Sequence, residues 1–245
     1  QDKLVEFTRL KHLLKRNCNQ IEDLSRGDII SAGIPVSLYD FDAMTQGLRR
    51  GDLIAFAGRP MMGKTSLALQ VAKNIASQNM SVCFFGFDMS KEQIAFRILA
   101  MESGIEIGRI RTGRLTTEEW TLASQINTKL ESLPIYLEDK RCITIDDIKT
   151  KCRKISMTND DKNLGLIVID SFHMIEDTSL DDYQIQLKKN TKDLKDLARE
   201  LNVPVLITAP ISSGVEEREN CRPMLSDIRD SDALEYYGDI IVMLY

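Results

Sequence analysis

From Gly51 onward, short apolar runs alternate with longer amphipathic ones. Leu53–Ala57, Val82–Phe87, Ile135–Leu137, Leu164–Ile169, Val203–Thr208 and Ile240–Leu244 are nearly continuous apolar stretches of strand length. Between them, apolar positions recur at helical spacing over Thr65–Ser77, Lys91–Glu102, Thr117–Leu130, Ile145–Ser156 and Tyr183–Leu201. Thr116 and Thr117, followed by Glu118 and Glu119, supply the hydroxyl and the acid of a capped helix start. A strand that is apolar on both sides must be covered on both. The alternation therefore predicts an α/β fold, a mostly parallel sheet with helices on both faces. No internal repeat or low-complexity tract interrupts it.

Ahead of this pattern, Leu4, Phe7, Leu10, Leu13, Leu14 and Ile21 fall on one helical stripe across Leu4–Leu24, with Lys11, Lys15 and Arg16 elsewhere on the surface. Gly27 offers a stop, and Ser31-Ala32-Gly33-Ile34-Pro35 has the composition of a linker. The expected division is a helix and linker over residues 1–32, then one large domain over 33–245. The stripe packs either on its own domain or on a neighbouring subunit. Gln1–Glu6 already look like the interior of a sequence, so a piece of a longer protein is expected.

Composition narrows the class. With 43% apolar and 28% charged residues, the 245-residue chain is a folded globule rather than a disordered one. No apolar run approaches the roughly 18–20 residues of a membrane span, so no membrane association is expected. Cys18, Cys83, Cys142, Cys152 and Cys221 are unclustered, and with only His12 and His173 they form no zinc-ligand spacing. Scattered thiols suit a reducing cytoplasm. A net charge of −5 argues against a dedicated nucleic-acid module, although it leaves room for a few DNA-facing loops in a ring channel.

The candidate chemistry begins after the first strand. Gly58-Arg59-Pro60-Met61-Met62-Gly63-Lys64-Thr65, continuing into Ser66, fits G-x-x-x-x-G-K-[ST] between a strand and a helix. The loop's glycines let successive backbone N–H groups converge on phosphate oxygens, and the helix N-terminus adds partial positive charge. Lys64 is placed to bridge β- and γ-phosphates of ATP, and the Thr65 hydroxyl to ligate Mg²⁺. Leu166-Ile167-Val168-Ile169-Asp170 ends a strand on an acid, where parallel sheets bind ligands; Asp170 is either the holder of a Mg²⁺-bound water or a loop cap. Asp88 ends the strand before it in the same way. It either orients the attacking water as general base or caps the helix beginning near Lys91.

At these residues the chain resembles the RecA-like motor domain of DnaB-type replicative DNA helicases. Gly33-Ile34-Pro35, Asp40 to Leu48, Ala57-Gly58-Arg59-Pro60, Phe87-Asp88-Met89-Ser90, Ile110-Arg111-Thr112-Gly113 and Leu133-Pro134-Ile135-Tyr136 follow in the family's order. The most specific block is Arg222-Pro223-Met224-Leu225-Ser226-Asp227-Ile228-Arg229. The resemblance implies a hexameric homo-oligomeric ring that binds ATP and Mg²⁺ between subunits, threads single-stranded DNA and unwinds duplex 5′–3′. It also implies contacts with a primase or a loader. By position, Lys64, Asp88 and Asp170 take the catalytic roles, and Thr65 and Asp170 hold the metal. Gly58, Arg59, Pro60, Met62, Gly63, Ser66 and Arg97 join the nucleotide site, Arg97 near the adenine unless it is simply a solvated charge. Arg229 and Asp230 belong to a loop that touches the DNA backbone in the family, and the N-terminal stripe matches a linker helix that docks on the next subunit.

The departures from the pattern are specific. Asp88 stands where the family has Glu, and Asp170-Ser171-Phe172-His173 replaces Asp-Tyr-Leu-Gln. Ala209-Pro210-Ile211-Ser212-Ser213 replaces Ser-Gln-Leu-Ser-Arg, whose glutamine senses the γ-phosphate. Arg229-Asp230-Ser231-Asp232 replaces Arg-Glu-Ser-Gly, and the chain stops at Tyr245 before the family's basic finger. A helicase motor is the expected function. A divergent nucleotide-binding paralogue with an assembly or regulatory role is the rival, and a small-molecule kinase would leave the Pro223–Arg229 block unexplained.

Overall fold

The computed structural model describes residues 10–26, 32–141, 143–158, 163–175, 183–218, 220–228 and 231–245. Helices α1 (Leu10–Arg26) and α2 (Tyr39–Thr45) precede β1 (Leu53–Gly58), α3 (Lys64–Ala76), β2 (Ser81–Gly86) and α4 (Lys91–Ser103). Next come α5 (Ile107–Thr112), α6 (Thr117–Glu131), β3 (Ile135–Glu138), α7 (Ile145–Thr158) and β4 (Leu164–Asp170). The chain continues through α8 (Tyr183–Leu201), β5 (Val205–Pro210), α9 (Ser231–Tyr237) and β6 (Ile240–Leu244). The strands make one parallel sheet in the order β3-β2-β4-β5-β1-β6. Because every strand runs the same way, their C-terminal ends gather along a single edge.

The apolar runs are continuous because both sheet faces are buried. Leu53, Ala55 and Ala57 of β1 pack with Ile148 and Cys152 of α7 and Leu194 and Leu197 of α8. Ile54 and Phe56 of the same strand point the other way, into Leu69, Val71 and Ile75 of α3 and Ile94 of α4. Each such large side chain, fully buried, stabilises the fold by about 1.5–3 kcal/mol before entropy is counted. Thr116 caps α6 as expected: its hydroxyl accepts the Glu119 N–H while the Glu119 carboxylate accepts the Thr116 N–H. The short helices α2, α5 and α9 are too brief to give a periodic signal.

Two N-terminal expectations meet different outcomes. Leu10, Leu13, Leu14 and Ile21 of α1 are exposed, so the stripe is not buried against the described part of its own domain. Leu4, Phe7, Gly27 and Ser31 lie outside the described residues. The linker reading fails at its C-terminal end. Ile34 exchanges two backbone hydrogen bonds with Leu48, both 2.8 Å, and is buried with Val36. Gly33 permits this close pass, since a Cβ there would stand 2.8 Å from the Gly47 carbonyl carbon.

Candidate active site

β1 delivers the chain to Gly58, and the loop closes at Gly63, whose φ of 86° and ψ of 13° suit glycine at the N-cap of α3. Glycine has no side chain with which to cap. Leu67 is the first residue to donate back along the helix, to the Gly63 carbonyl at 2.9 Å. The N–H groups of Lys64, Thr65 and Ser66 therefore have no intrahelical acceptor, at the positive end of a 13-residue helix. Pro60 and Met62 stand exposed on the loop. The Lys64 ammonium folds over it, donating to the carbonyls of Gly58 at 2.8 Å and Arg59 at 2.9 Å. Burial lowers the Lys64 pKa, and the carboxylates of Asp170 and Asp88 work against that shift.

Asp170 closes β4 on the facing side and is only 6% exposed. Its Oδ1 accepts the Thr208 hydroxyl of β5 at 2.5 Å, and the Thr65 hydroxyl is near enough to favour its charged form. Burial raises its pKa; the two hydroxyls and Lys64 lower it, and Asp88 adds to the rise. Thr65 and Asp170, read separately from the sequence, are thus brought near each other. Asp170 is no loop cap, because its carboxylate turns inward to the Thr208 hydroxyl.

Asp88 lies just past β2, exposed, and its charge acts on both Lys64 and Asp170. The capping alternative for it does not hold. Ser90 is the N-cap of α4, its hydroxyl accepting the Gln93 N–H at 3.3 Å while the Gln93 side chain accepts the Ser90 N–H at 3.1 Å. Arg59 forms an ion pair with Glu216, Nη1 to Oε1 2.6 Å. Arg97 sits half-buried on α4 with no hydrogen bond or ion pair among the described residues. Arg229 and Asp230 lie outside the described residues, and Asp232 is exposed in the first turn of α9.

These groups fit a Mg²⁺-nucleotide. Among the described residues no cluster of three or more His, Cys, Asp and Glu is placed to cage a metal. One hydroxyl near one carboxylate suits an ion held mainly by phosphate oxygens and water. Thr208 was missed from the sequence. Its signal was a lone polar residue inside the apolar run Val205-Leu206-Ile207-Thr208-Ala209. Glu216 was missed as well, and it has no signal without the fold.

A parallel sheet whose first strand feeds a glycine-framed loop, with an acid at the end of a strand one place beyond its neighbour, defines a P-loop nucleotide-binding domain of RecA-like architecture. A family model described as the DnaB-like helicase C terminal domain matches residues 33–245. The chain belongs to that family. The replicative DNA helicase DnaB of Geobacillus stearothermophilus is 38% identical over 242 residues, 98% of this chain and 53% of that protein. The replicative DNA helicase DnaB of Nostoc sp. is 44% identical over 232 residues, 94% of this chain and 26% of that protein. The chain thus spans about half the length of the first relative and about a quarter of the second. A solved structure described as an ATPase domain superposes with a TM-score of 0.91 at 30% identity, covering 98% of this chain and 84% of that one. A second, described as a DnaB-like replicative helicase and its interactions with primase, gives 0.87 at 30% identity over 98% and 57%. No described helix is long and apolar enough to cross a membrane.

Proposed function

We propose that this chain is the ATP-hydrolysing motor domain of a replicative DNA helicase, which uses Mg²⁺-ATP to move along single-stranded DNA and unwind duplex. The observation that carries the reading is the buried Asp170, bonded to Thr208 and brought beside Thr65 and Lys64 at the uncapped N-terminus of α3, in a chain of this family. The N–H groups of Lys64, Thr65 and Ser66 would hold the phosphates, and the Lys64 ammonium, now on the Gly58 and Arg59 carbonyls, would supply a cation to them. Thr65 and Asp170 would hold the Mg²⁺, which would supply positive charge against the phosphate oxygens. Asp88 orients the attacking water as general base, exposed at the mouth where that water enters. Gly58, Pro60, Met62 and Gly63 frame the loop, and Arg97 faces the adenine.

In this reading the exposed stripe of α1 docks on the next subunit of a hexameric ring in the cytoplasm, and the Arg229–Asp230 loop meets single-stranded DNA in the channel, moving 5′–3′. Contact with a primase follows the solved DnaB-like helicase whose description names one. The test is ATP turnover together with strand separation of a forked duplex, with Lys64→Ala as the control. Both activities are expected, and both are expected to vanish in the control, because the Lys64 phosphate contact is lost and Arg59, the loop's other cation, is committed to Glu216. Turnover without strand separation at any protein concentration would favour the non-unwinding paralogue.

A further inference from the structure

The two carbonyls that Lys64 holds lead away from the nucleotide. Gly58 stands opposite Pro210 in the β1–β5 register, and its carbonyl also accepts the Ile211 N–H at 3.3 Å. Arg59 sends its guanidinium sideways to Glu216, which lies in the 3-10 turn Ser213–Glu217 immediately beyond β5. That turn begins a segment closed on itself at its base. Arg218 grips both oxygens of Asp227, at 2.7 and 2.5 Å. The Ser212 N–H donates to the Asp227 carbonyl at 2.7 Å, and Ile211 bridges Ile228. A segment tied at both ends in this way moves as a unit, and Arg59 and Gly58 are its attachments to the phosphate loop.

At the position nearest Gly58 on β5, the side chain is that of Pro210, which offers no donor or acceptor. A polar relay through that side chain is closed. We infer that Glu216, through its ion pair with Arg59, is the positioning residue that transmits nucleotide occupancy of the phosphate loop to the 211–228 segment and to the DNA-facing residues that follow it. This rests on the function proposed above. When phosphate arrives, the Lys64 ammonium exchanges two neutral carbonyls for anionic oxygens. The Arg59 peptide is released, and its guanidinium draws Glu216 with it. Glu216 is 66% exposed and Arg59 24%, so water screens the pair on one side. Such a pair carries a coupling of about two- to fivefold rather than a hundredfold.

The test measures hydrogen exchange of peptides from 211–228, with and without Mg²⁺ and a non-hydrolysable ATP analogue, in the wild type, Glu216→Gln and Glu216→Asp. Nucleotide affinity by calorimetry and ATP turnover with and without single-stranded DNA are measured beside it. The analogue is expected to change exchange in the wild-type segment by about two- to fivefold, the reach of a half-exposed ion pair. Glu216→Gln removes that response and the DNA stimulation, while nucleotide affinity and basal turnover stay as they were; Glu216→Asp restores part of both. A full nucleotide response in Glu216→Gln overturns the inference. A wild type that binds no nucleotide overturns the function and the inference together. Turnover indifferent to DNA in a wild type whose segment still responds to nucleotide removes the DNA function alone, and the loss of that response in Glu216→Gln still upholds the link.

Discussion

Asp170 is held between two tendencies: burial favours its protonated form, and the hydroxyls of Thr65 and Thr208 favour the carboxylate. Burial wins, and the folded pKa lies above the ordinary carboxylate value. A group raised in this way adds stability below its unfolded pKa and loses it as pH climbs through the folded one. The nucleotide-free protein therefore carries a cost at neutral pH that binding of a cation relieves. Asp170→Asn keeps an oxygen acceptor for Thr208 and removes the charge. Its melting temperature without nucleotide is expected to match or exceed that of the wild type at pH 7, with a flatter pH dependence above pH 4 and no gain from Mg²⁺-ATP. A lower melting temperature at pH 7 would show that the carboxylate is stabilising as it stands. Asp88 differs, being exposed and committed to no cap. Asp88→Asn is expected to lower turnover at least about tenfold with nucleotide binding nearly unchanged, as for a group acting in the transition state. Asp88→Glu is expected to be tolerated or faster, and an unaffected rate in the Asn variant would remove Asp88 from the mechanism.

The site's precision depends on how the strands are pinned at the opposite end of the sheet. Lys195 of α8 is buried there, donating to the Gly51 carbonyl at 2.8 Å and to Asp239 Oδ2 at 2.5 Å. Asp239 accepts the Leu53 N–H at 2.7 Å, so one ammonium joins α8 to the starts of β1 and β6. Asp52 lies 3.9 Å from the same ammonium, and burial first, then Asp239, raises its pKa. Removing the lysine leaves two neighbouring acids without their shared cation. Lys195→Met is expected to cost about 2 kcal/mol, less than the roughly 3–5 of a fully buried pair, because Asp239 is partly open to solvent. The measurement is a urea midpoint at pH 7 with an unchanged slope. A smaller loss at pH 4, where the stranded Asp52 with its raised pKa takes up a proton, separates this cause from lost packing.

For the whole molecule, charge sets the expectation for the proposed binding of DNA. The chain carries a net charge of −5, and Asp230 and Asp232 both follow closely on Arg229 in sequence. Backbone affinity depends on positive charge facing the strand and on counterion release. Residues 1–245 alone are expected to bind single-stranded DNA poorly at physiological salt. Asp232→Gly is expected to strengthen binding, although Asp232 sits favourably in the first turn of α9 and its loss weakens that helix start. Arg229→Ala is expected to weaken it. Fluorescence anisotropy with a labelled oligonucleotide at low and moderate salt checks both, and silence in both variants would place the loop away from DNA.

Much of this protein was legible before folding. Apolar runs such as Leu164–Ile169 are so continuous that only a two-sided parallel sheet accommodates them, and Tyr183–Leu201 and Ile240–Leu244 recur in the structure with the same bounds. The phosphate loop was legible too, because its chemistry needs consecutive residues, Gly58 to Thr65. What sequence spacing could not convey was contact between distant positions. The 38 residues separating Asp170 from Thr208, and the longer separation of Arg59 from Glu216, become hydrogen-bond and ion-pair distances only when β4, β5 and β1 lie side by side. Asp88 illustrates the division. Its place at a strand end was readable, but its release from capping was decided by Ser90 and Gln93 closing the helix start between themselves. Local sequence determines which backbone conformations and which apolar faces are favourable; the order of strands in the sheet decides which side chains share a low-dielectric site, and there proximity sets charge and pKa.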